Sequence, residues 1–310
     1  MRVLVTGGAG FIGSHVVDLL RGQGDEVLVI DDLSSGDFGW ISHDNLVQAD
    51  IRSDVAVRAV ETFAPECMVL LAAQMSVRAS MRAPAFDASV NVMGLVTMID
   101  AGLRVGCRRF VGASSGGTIY GDVPGETQPI NENSPRAPRS FYGITKSIMV
   151  DYLEVYARER KAETVTLALG NVYGPRQNPH GEVGVIALFA ERLTKGLPGT
   201  INGDGLTTRD YVHVSDVARA FERSTRHGHG LMNIGTGVGT SVLEVHHLVR
   251  VAAGYPNLDP AHGPALPGEV RAVALDPSRA RESLGWQARV DLKTGIEDVV
   301  RWVSGQESVK

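Results

Sequence analysis

The fold of this chain is decided by its first turn, which reads Val3-Leu4-Val5-Thr6-Gly7-Gly8-Ala9-Gly10-Phe11-Ile12-Gly13. A short apolar run breaks into glycines and then becomes apolar again, a pattern that predicts a strand, a tight turn and a helix. Glycines lack a Cβ atom, so the turn can be sharp and its N–H groups can approach a pyrophosphate at the start of the helix. The spacing fits both Gly8-x-Gly10-x-x-Gly13 and Gly7-x-x-Gly10-x-x-Gly13. We therefore predict that a dinucleotide cofactor contacts Gly7, Gly10, Phe11, Ile12 and Gly13.

An acidic pair follows the second predicted strand, Val27–Ile30. A carboxylate at Asp31 can accept hydrogen bonds from a ribose diol and would repel a 2′-phosphate, so it favours NAD over NADP. The segment that follows is polar, and we predict further cofactor contacts there, at Asp32, Ser35 and Gly36.

Asp50 and Ile51 follow the third predicted strand, Leu46–Gln48, and we expect them to contact the adenine ring. For Asp50 there is an alternative, because a short carboxylate often caps a helix, and the predicted helix Asp54–Phe63 begins nearby. Either role would use the carboxylate as a hydrogen-bond acceptor.

Apolar strands alternate with helical stretches through the first half of the chain, which predicts a parallel sheet covered by helices on both faces. The remaining predicted strands are Met68–Leu71, Arg109–Ala113 and Thr164–Leu169. We expect an α/β fold with a doubly wound (Rossmann) domain over residues 1–168. A smaller substrate domain would occupy residues 169–310, with some elements returning to the first domain. Ligands of such sheets bind beyond the carboxyl ends of the strands.

Small residues end the fourth strand and would let a flat cofactor lie close; the predicted contacts are Leu71, Ala72, Ala73 and Gln74. We predict a loop over Met75–Arg82 and then a long helix over Asp87–Arg104. Asn91 lies in that helix among apolar residues, so its amide requires a polar partner. We expect this partner to be backbone beside the cofactor, and the alternative is an Asn91 that faces solvent.

Tyr142 and Lys146 are four residues apart near the start of a predicted helix, so they share one helix face. Apolar residues then recur at helical spacing, at Ile144, Ile148, Tyr152 and Val155. A free tyrosine has a pKa of about 10. A lysine one turn away and a cationic nicotinamide ring can lower that pKa together, which would make Tyr142 a base near neutral pH. A strand that opens into hydroxyls and glycines, residues 111–121, precedes this helix.

The composition is that of a globular protein of 310 residues, with 43% hydrophobic and 21% charged residues. A formal net charge of −5 without a basic run argues against nucleic acid as a partner. Cys67 and Cys107 are too few for a disulfide framework. We expect no membrane span and no signal peptide, since a core strand begins at residue 2, and therefore a cytoplasmic protein. The histidines lack partners at ligand spacing, so we predict no metal site.

Taken together, these residues resemble the extended short-chain dehydrogenase/reductase family and, within it, the UDP-sugar 4-epimerases. The second half supports the resemblance with two stretches, Gly170-Asn171-Val172-Tyr173-Gly174-Pro175-Arg176 and Gly203-Asp204-Gly205-Leu206-Thr207-Thr208-Arg209-Asp210-Tyr211-Val212. They are similar to the family patterns N-V-Y-G-P-R and G-D-G-x-x-T-R-D-F/Y-V. The resemblance covers nearly the whole chain and implies tightly held NAD, a UDP-sugar substrate and inversion of C4 through a transient 4-keto sugar.

The resemblance also implies roles for individual residues in catalysis. Tyr142 would be the acid/base, and Lys146 would hold both the tyrosine and the nicotinamide ribose. Ser114 and Thr118 would lie beside the sugar 4-hydroxyl, and Asn91 would contact the cofactor region.

For the substrate, the resemblance implies that Asn171 touches the nucleotide-sugar and that Arg209 binds its diphosphate. Residues 183–192 resemble the segment that closes over uridine. The further substrate contacts implied are Ser76, Val185, Arg192 and Glu269.

Two positions depart from the family pattern. Many epimerases carry serine where Gly116 stands, so the hydrogen bond to the sugar O4 must come from Thr118, or from Ser114 or Ser115. A second family arginine for the diphosphate would fall near Leu266 and is missing; Arg271 is close but out of register.

Two other functions remain as alternatives. A nucleotide-sugar 4,6-dehydratase would need an acid and a base, which in that family follow the active-site threonine as Asp-Glu; here Ile119-Tyr120 follow Thr118. A non-catalytic NAD-binding protein would not need Thr118, Tyr142 and Lys146.

We favour UDP-glucose/UDP-galactose as the substrate pair over UDP-glucuronate, with UDP-N-acetylglucosamine as a further alternative. A uronate would bring a carboxylate into a partly dry site and would need a cation near C6. Relatives that act on UDP-glucuronate tend to carry Thr at the Asn171 position and Arg at the Asn178 position, and this chain has neutral Asn at both. Arg192 is the residue that could reach C6 instead.

We also expect a homodimer, in which the Asp87–Arg104 and Tyr142–Tyr156 helices pack against their counterparts, as in similar enzymes. The expected outward apolar residues, which need cover, include Val92, Met149 and Leu153.

Overall fold

The structure is a computed structural model that describes residues 1–41, 45–121, 129–179, 184–265 and 270–307. Its strands are β1 (Arg2–Thr6), β2 (Glu26–Asp31), β3 (Leu46–Gln48), β4 (Cys67–Leu70), β5 (Arg109–Ser115), β6 (Glu163–Leu169), β7 (Asn171–Tyr173), β8 (Thr200–Asn202), β9 (Thr208–His213), β10 (Gly230–Ile234), β11 (Gly239–Ser241) and β12 (Ala261–Gly263).

The helices are α1 (Phe11–Gly22), α2 (Asp54–Phe63), α3 (Val77–Arg82), α4 (Pro84–Ala88), α5 (Gly94–Arg104), α6 (Gly116–Ile119), α7 (Phe141–Arg160), α8 (Val185–Thr194), α9 (Val214–Ser224), α10 (Val242–Ala252), α11 (Ser278–Leu284) and α12 (Leu292–Glu307). A π-helical segment, Ser89–Met93, joins α4 to α5, so Pro84–Arg104 is continuous helix.

Within these ranges, seven parallel strands form the main sheet in the order β10-β6-β5-β4-β1-β2-β3. The α/β, doubly wound fold expected from the sequence is confirmed. The six predicted strands all form, and their ends agree with prediction to within about two residues. The seventh strand, β10, comes from the second half of the chain and pairs with β6.

Both faces of the sheet are buried, as a parallel sheet requires. Side chains alternate along β1, so Val3 and Val5 enter one core cluster and Leu4 enters the other. Helices α1 and α9 pack together on the first face, and α2 and α5 pack together on the second. The direction of strand order reverses at β1, between β4 and β2, and this switch point is where such sheets bind ligands.

The second half of the chain forms a smaller layer and also returns to the sheet. A three-stranded sheet, β11-β9-β7, and a two-stranded pair, β12-β8, lie beside helices α8, α10 and α12. These helices bury Phe189, Val245 and Val299 in a cluster of their own. Helix α9 and strand β10 belong instead to the first unit, through α1 and β6.

Two expectations about helices are wrong. Residues 75–82 were expected to be a loop, but Ser76 caps α3 by accepting a hydrogen bond from Ala79 N at 2.8 Å. Met149 and Leu153 were expected to face outward, but both are buried beside Gly112, whose missing side chain leaves room for them. The outward stripe of α7 is the one formed by Ile144, Tyr152 and Val155.

Helix Pro84–Arg104 is long and apolar enough, by length and composition, to cross a membrane. Its inner face is nevertheless part of the protein core, where Leu95, Met98 and Ile99 pack on the sheet. A core helix of a globular domain passes the same test, and the packing identifies this helix as one.

Candidate active site

Two glycines of the first turn are required, because a Cβ atom at either position would clash with nearby backbone atoms. Gly7 has φ +71°, and a Cβ there would lie 2.6 Å from Ala72 N; a Cβ on Gly13 would lie 2.1 Å from Gly7 O. A Cβ on Gly10 would meet only Gly7 O, at 3.2 Å. Gly7 and Gly13 therefore let the turn pack closely, whereas Gly10 keeps the space above the turn open.

Helix α1 begins at this open space without a capping side chain. In the part of the chain that the structure describes, no side chain accepts a hydrogen bond from its first turn, and that turn carries no acidic residue. Its first N–H groups, from Phe11 and Ile12 onward, are therefore available to an external anion, which the helix dipole also favours. The cradle fits the pyrophosphate of a dinucleotide.

Asp31 lies buried beside the turn, at the end of β2. Its Oδ2 accepts from Ala9 N and its Oδ1 from Leu33 N, both at 2.9 Å, and burial raises the pKa of the carboxyl. Each carboxylate oxygen has a second lone pair, so the group can still accept from a ribose diol. Asp32 is turned to Ser34, whereas Ser35 is exposed and Gly36 packs on Ala9.

Asp50 does not cap the helix that follows it, so the N-cap alternative is wrong. Ser53 is the cap of α2 and accepts from Ala56 N at 3.2 Å. Asp50 instead forms an ion pair with Arg52, which lowers the pKa of the Asp50 carboxyl. Ile51 is buried, and its side chain packs against Gly94 at the start of α5.

The end of β4 forms the opposite wall of the predicted cofactor site. Leu71 N donates to Thr6 O at 3.1 Å and Ala72 N to Thr6 Oγ1 at 3.3 Å, so this segment lies against the glycine turn. A cavity next to it is lined by Thr6, Ile51, Ala72, Ala73, Asn91 and Lys146, among others.

Asn91 has a backbone partner at this wall. Its Oδ1 accepts from Gln74 N at 2.8 Å and its Nδ2 donates to Gln74 O at 3.0 Å. Asn91 is buried, so the alternative of a solvent-facing side chain is wrong. The amide holds the segment that follows β4 in place.

The start of α7 carries Tyr142 and Lys146 and is capped twice. Ser140 Oγ accepts from Gly143 N at 3.0 Å, and Ser80 Oγ of α3 accepts from Tyr142 N at 3.1 Å. Lys146 Nζ lies 5.7 Å from the centre of the Tyr142 ring and donates to Ala113 O at 2.9 Å. The helix therefore presents both side chains to the carboxyl end of β5.

Ser115 is the serine that acts on the phenol of Tyr142, since its side chain lowers the pKa of that group. Its neighbour Ser114 is buried and donates to Lys146 O at 2.9 Å, and Thr118 Oγ1 lies 3.4 Å from Ser115 O. The sequence named Ser115 only as an alternative to Thr118 and Ser114. The choice depends on tertiary packing, because Ser114 and Ser115 both act on residues of α7.

Burial shifts the pKa values of this pair in opposite directions. It raises the pKa of Tyr142 to about 12, and the hydrogen bond with Ser115 opposes that rise. It lowers the pKa of Lys146 to about 8, and the negative charge of Asp87 opposes that fall. The phenol therefore needs additional positive charge beside it to ionise near neutral pH.

The loop that follows β6 and β7 is fastened to the cofactor side of the molecule. His15 Nε2 lies 3.0 Å from Pro175 O, and Arg176 pairs with Asp18 of α1 at 2.7 Å. Asn171, the first residue of β7, places its Oδ1 3.6 Å from the Cβ position of Gly117. Asn171 thus lies near the serine-rich end of β5.

The other residues predicted to bind substrate are more dispersed. Arg209 lies on β9 and donates to Thr208 O at 2.8 Å, whereas Arg192 Nε donates to Pro198 O at 2.7 Å and so ties the end of α8 to the loop after it. Ser76 caps α3, and Val185 begins α8 and packs against the smaller core. Glu269 and Leu266 lie outside the described residues.

Arg271, the nearest arginine in sequence to the missing one, is paired with an acidic residue. Its guanidinium donates to Asp204 Oδ1 and Oδ2 at 3.2 and 2.9 Å. The described residues contain no group of three or more His, Cys, Asp or Glu side chains that could hold a metal ion.

Comparison with known proteins gives a consistent picture. The model of the NAD dependent epimerase/dehydratase family matches residues 3–235. The chain is 44% identical over 310 residues to the UDP-glucose 4-epimerase of Mycolicibacterium smegmatis, covering 97% of this chain and 98% of that protein.

Two solved structures are similar over the full length. The UDP-glucose 4-epimerase of Thermotoga maritima, crystallised with UDP-glucose, superposes with a TM-score of 0.95 at 40% identity and covers 100% of both chains. The UDP-glucose 4-epimerase of Thermus thermophilus, in complex with NAD, superposes with a TM-score of 0.92 at 40% identity, covering 98% of this chain and 99% of the other. The glycine cradle, Asp31 and the Tyr142–Lys146 pair are thus explained together: the chain belongs to the NAD dependent epimerase/dehydratase family.

Proposed function

We propose that the protein is a UDP-sugar 4-epimerase that interconverts UDP-glucose and UDP-galactose. One observation carries the proposal: Tyr142 and Lys146 share a helix face beside the cofactor wall, with Lys146 Nζ 5.7 Å from the centre of the Tyr142 ring. The activity of the relatives described above supports it. When bound at the glycine turn, NAD supplies reversible hydride exchange with the sugar C4.

Tyr142 acts as the acid and base for the sugar 4-hydroxyl. As a phenolate it takes the hydroxyl proton, and as a phenol it returns the proton to the opposite configuration. Ser115 acts on the same phenol and would hydrogen-bond the 4-hydroxyl beside it, which would orient that hydroxyl. Lys146 provides the positive charge that favours the phenolate, and it is fixed for this role by Ala113 O.

The 4-keto sugar must present each face in turn, so the site has to hold the nucleotide and leave the hexose free to turn about the diphosphate. Arg209 is the proposed diphosphate ligand, because a guanidinium keeps its charge and can bind two phosphate oxygens at once. Asn171 would contact the nucleotide-sugar from beside Gly117.

The hydrogen bonding of Arg192 favours a neutral hexose over a uronate as the substrate. A C6 carboxylate would need a cation, and Arg192 is instead bound to Pro198 O in its own turn region. Asn171 offers an amide rather than a charge.

A homodimer through the continuous helix Pro84–Arg104 and α7 is part of the proposal. Phe86 and Met93 are exposed on the first of these helices, and Tyr152 and Val155 are exposed on α7; Met93 is 59% exposed. An apolar surface of this kind is stabilised when a second copy covers it. The reduced, buried thiols of Cys67 and Cys107 support a cytoplasmic location.

The assay is conversion of UDP-galactose to UDP-glucose by the purified protein without added NAD. We expect turnover in the native protein and a loss of several orders of magnitude in Tyr142→Phe, with NAD still bound. Formation of a 4-keto-6-deoxy sugar would instead identify a dehydratase. Tyr142→Phe activity within tenfold of the native protein would remove Tyr142 from its role.

A further inference from the structure

The buried carboxylate of Asp87 lies behind α7, the helix that carries Tyr142 and Lys146. It takes no part in the proton transfer described above. Asp87 has no solvent exposure. A buried carboxylate is normally paired with a cation, because an isolated charge is costly to bury. Within the ranges that the structure describes, no Lys or Arg forms an ion pair with it. Its charge is therefore held by other means.

Three side chains donate hydrogen bonds to the Asp87 carboxylate. Gln74 Nε2 donates to Oδ1 at 2.6 Å, Asn91 Nδ2 donates to Oδ1 at 3.2 Å, and Thr145 Oγ1 donates to Oδ2 at 2.8 Å. All three groups are donors, so the carboxyl oxygens act only as acceptors, as they do in the ionised form. The surroundings of Asp87 are built for a carboxylate.

The same hydrogen bonds join the two walls of the site. Gln74 follows β4 on the cofactor wall, and Thr145 precedes Lys146 on α7. Asn91 bridges them, since its Nδ2 also lies 3.1 Å from Thr145 Oγ1 and 3.0 Å from Gln74 O. Asn91 sits in the π-helical segment, and such segments frequently mark functional positions.

The elements packed around Tyr142 and Lys146 bring few other charges. The side chains of β5 and α6 that face them are hydroxyls, and Arg78 and Arg82 of α3 are exposed to solvent. The negative charge of Asp87 raises the pKa of both Tyr142 and Lys146.

We propose that Asp87 is a charged positioning residue. Its buried carboxylate balances the positive charge of Lys146 and keeps Lys146 protonated. Its hydrogen bonds to Thr145 and Gln74 hold the two walls of the site in place, and its charge acts on Lys146. Asp87 does not touch the substrate. The proposal rests on the proposed function for its link to turnover.

The signature of a charge differs from that of a lost hydrogen bond. Removal of a negative charge lowers the pKa of every group in its field, so both limbs of the pH profile of kcat/KM move to lower pH, whichever residue each limb reports. We expect Asp87→Asn to shift both limbs by about one pH unit, at the lower end of the effect of a nearby charge. Thr145→Val removes a donor but keeps the charge, so it should reduce kcat without an acid shift.

A relocated charge provides the decisive control. The double variant Gln74→Glu/Asp87→Asn has a carboxylate at position 74 and an amide at position 87. The charge has therefore moved to the other end of the hydrogen bond between these two side chains. We expect this variant to move the profile back towards that of the native protein. It also keeps the proposal testable if Asp87→Asn alone does not fold.

A second measurement needs no turnover. Phenolate absorbance at 295 nm in the holoenzyme, taken as the difference between each variant and the same variant carrying Tyr142→Phe, reports the Tyr142 pKa, which should fall in Asp87→Asn. An inactive native protein would overturn the proposed function alone. An unshifted profile or an unshifted Tyr142 titration in Asp87→Asn, or a double variant without recovery, would overturn the role of Asp87.

Discussion

Leu275 fills the space that a side chain at position 116 would need: a Cβ on Gly116 would lie 2.4 Å from Leu275 Cδ1. Leu275 has no solvent exposure, and its N–H is held by Asp210 Oδ2 at 3.0 Å, so it has little room to move. This contact explains why glycine stands where many epimerases carry serine. The hydroxyl that faces Tyr142 comes from Ser115, the residue before it.

Gly116→Ser should therefore destabilise the protein and should not improve the site. Overpacking of a buried contact typically costs about 1–3 kcal/mol, which urea unfolding at 25 °C would measure as a lower midpoint. Gly116→Ser combined with Leu275→Ala should be less destabilised than the sum of the two single changes. Additive effects, or a Gly116→Ser protein as stable as the native one, would contradict this account.

Ser115→Ala should lower kcat more than Ser114→Ala does. The Ser115 side chain lowers the pKa of the phenol, and a hydrogen bond to a group that becomes charged is worth about 1.5–3 kcal/mol, or roughly 10- to 100-fold in rate. Ser114 bonds the backbone of Lys146, so its loss should appear mainly as lower stability. Steady-state kinetics and urea unfolding of both variants give the comparison. The reverse order of kcat losses would show that the wrong serine has been selected.

Lys146→Met should move the acid limb of the kcat/KM profile to higher pH. The ammonium favours the phenolate of Tyr142, so without it the pKa of Tyr142 rises, by about one unit or more. The direction is opposite to the one expected for Asp87→Asn. An acid limb that stays in place while kcat falls would mean that Lys146 only binds the cofactor.

The sequence was sufficient to predict the parts of the fold that local patterns determine. The strand–glycine–helix turn, six strands of the sheet and the shared face of Tyr142 and Lys146 all follow from periodicity and spacing. β10 could not be predicted in the same way, because its place beside β6 depends on pairing between distant segments. The phase of α7 was also wrong: Met149 and Ile144 are equally apolar, and only the packing on Gly112 decides which of them is buried.

The hydrogen-bonded network of Gln74, Asp87, Asn91 and Thr145 was not predicted, although the sequence contained part of the signal for it. Asp87 and Asn91 are one turn apart in a largely apolar helix, which indicates a shared buried partner. Their partner Thr145 lies on another helix, so its role depends on tertiary packing. Asp50 shows the reverse case: its pairing with Arg52 is local, and the cap role that was the alternative for Asp50 belongs to Ser53.

The exposed apolar face of helix Pro84–Arg104 and α7 should be the dimer interface. Tyr152→Glu places a charge in the middle of this face, where burial without a partner is costly, so it should yield a monomer. Glu154→Gln, a neighbouring change at an exposed position outside the stripe, is the control. Light scattering at micromolar concentration gives the masses. A native protein that is already monomeric would refute the dimer.

The central claim is that C4 of the sugar is inverted by removal and return of its own hydrogen at the site of Tyr142. UDP-glucose labelled with deuterium at C4 tests this directly, with NMR and mass spectrometry of the product. We predict UDP-galactose that retains deuterium at C4 and takes up no hydrogen from water, formed without added NAD and almost lost in Tyr142→Phe. Product that has exchanged its C4 label with solvent, or a native protein loaded with NAD that forms no UDP-galactose, would contradict the account.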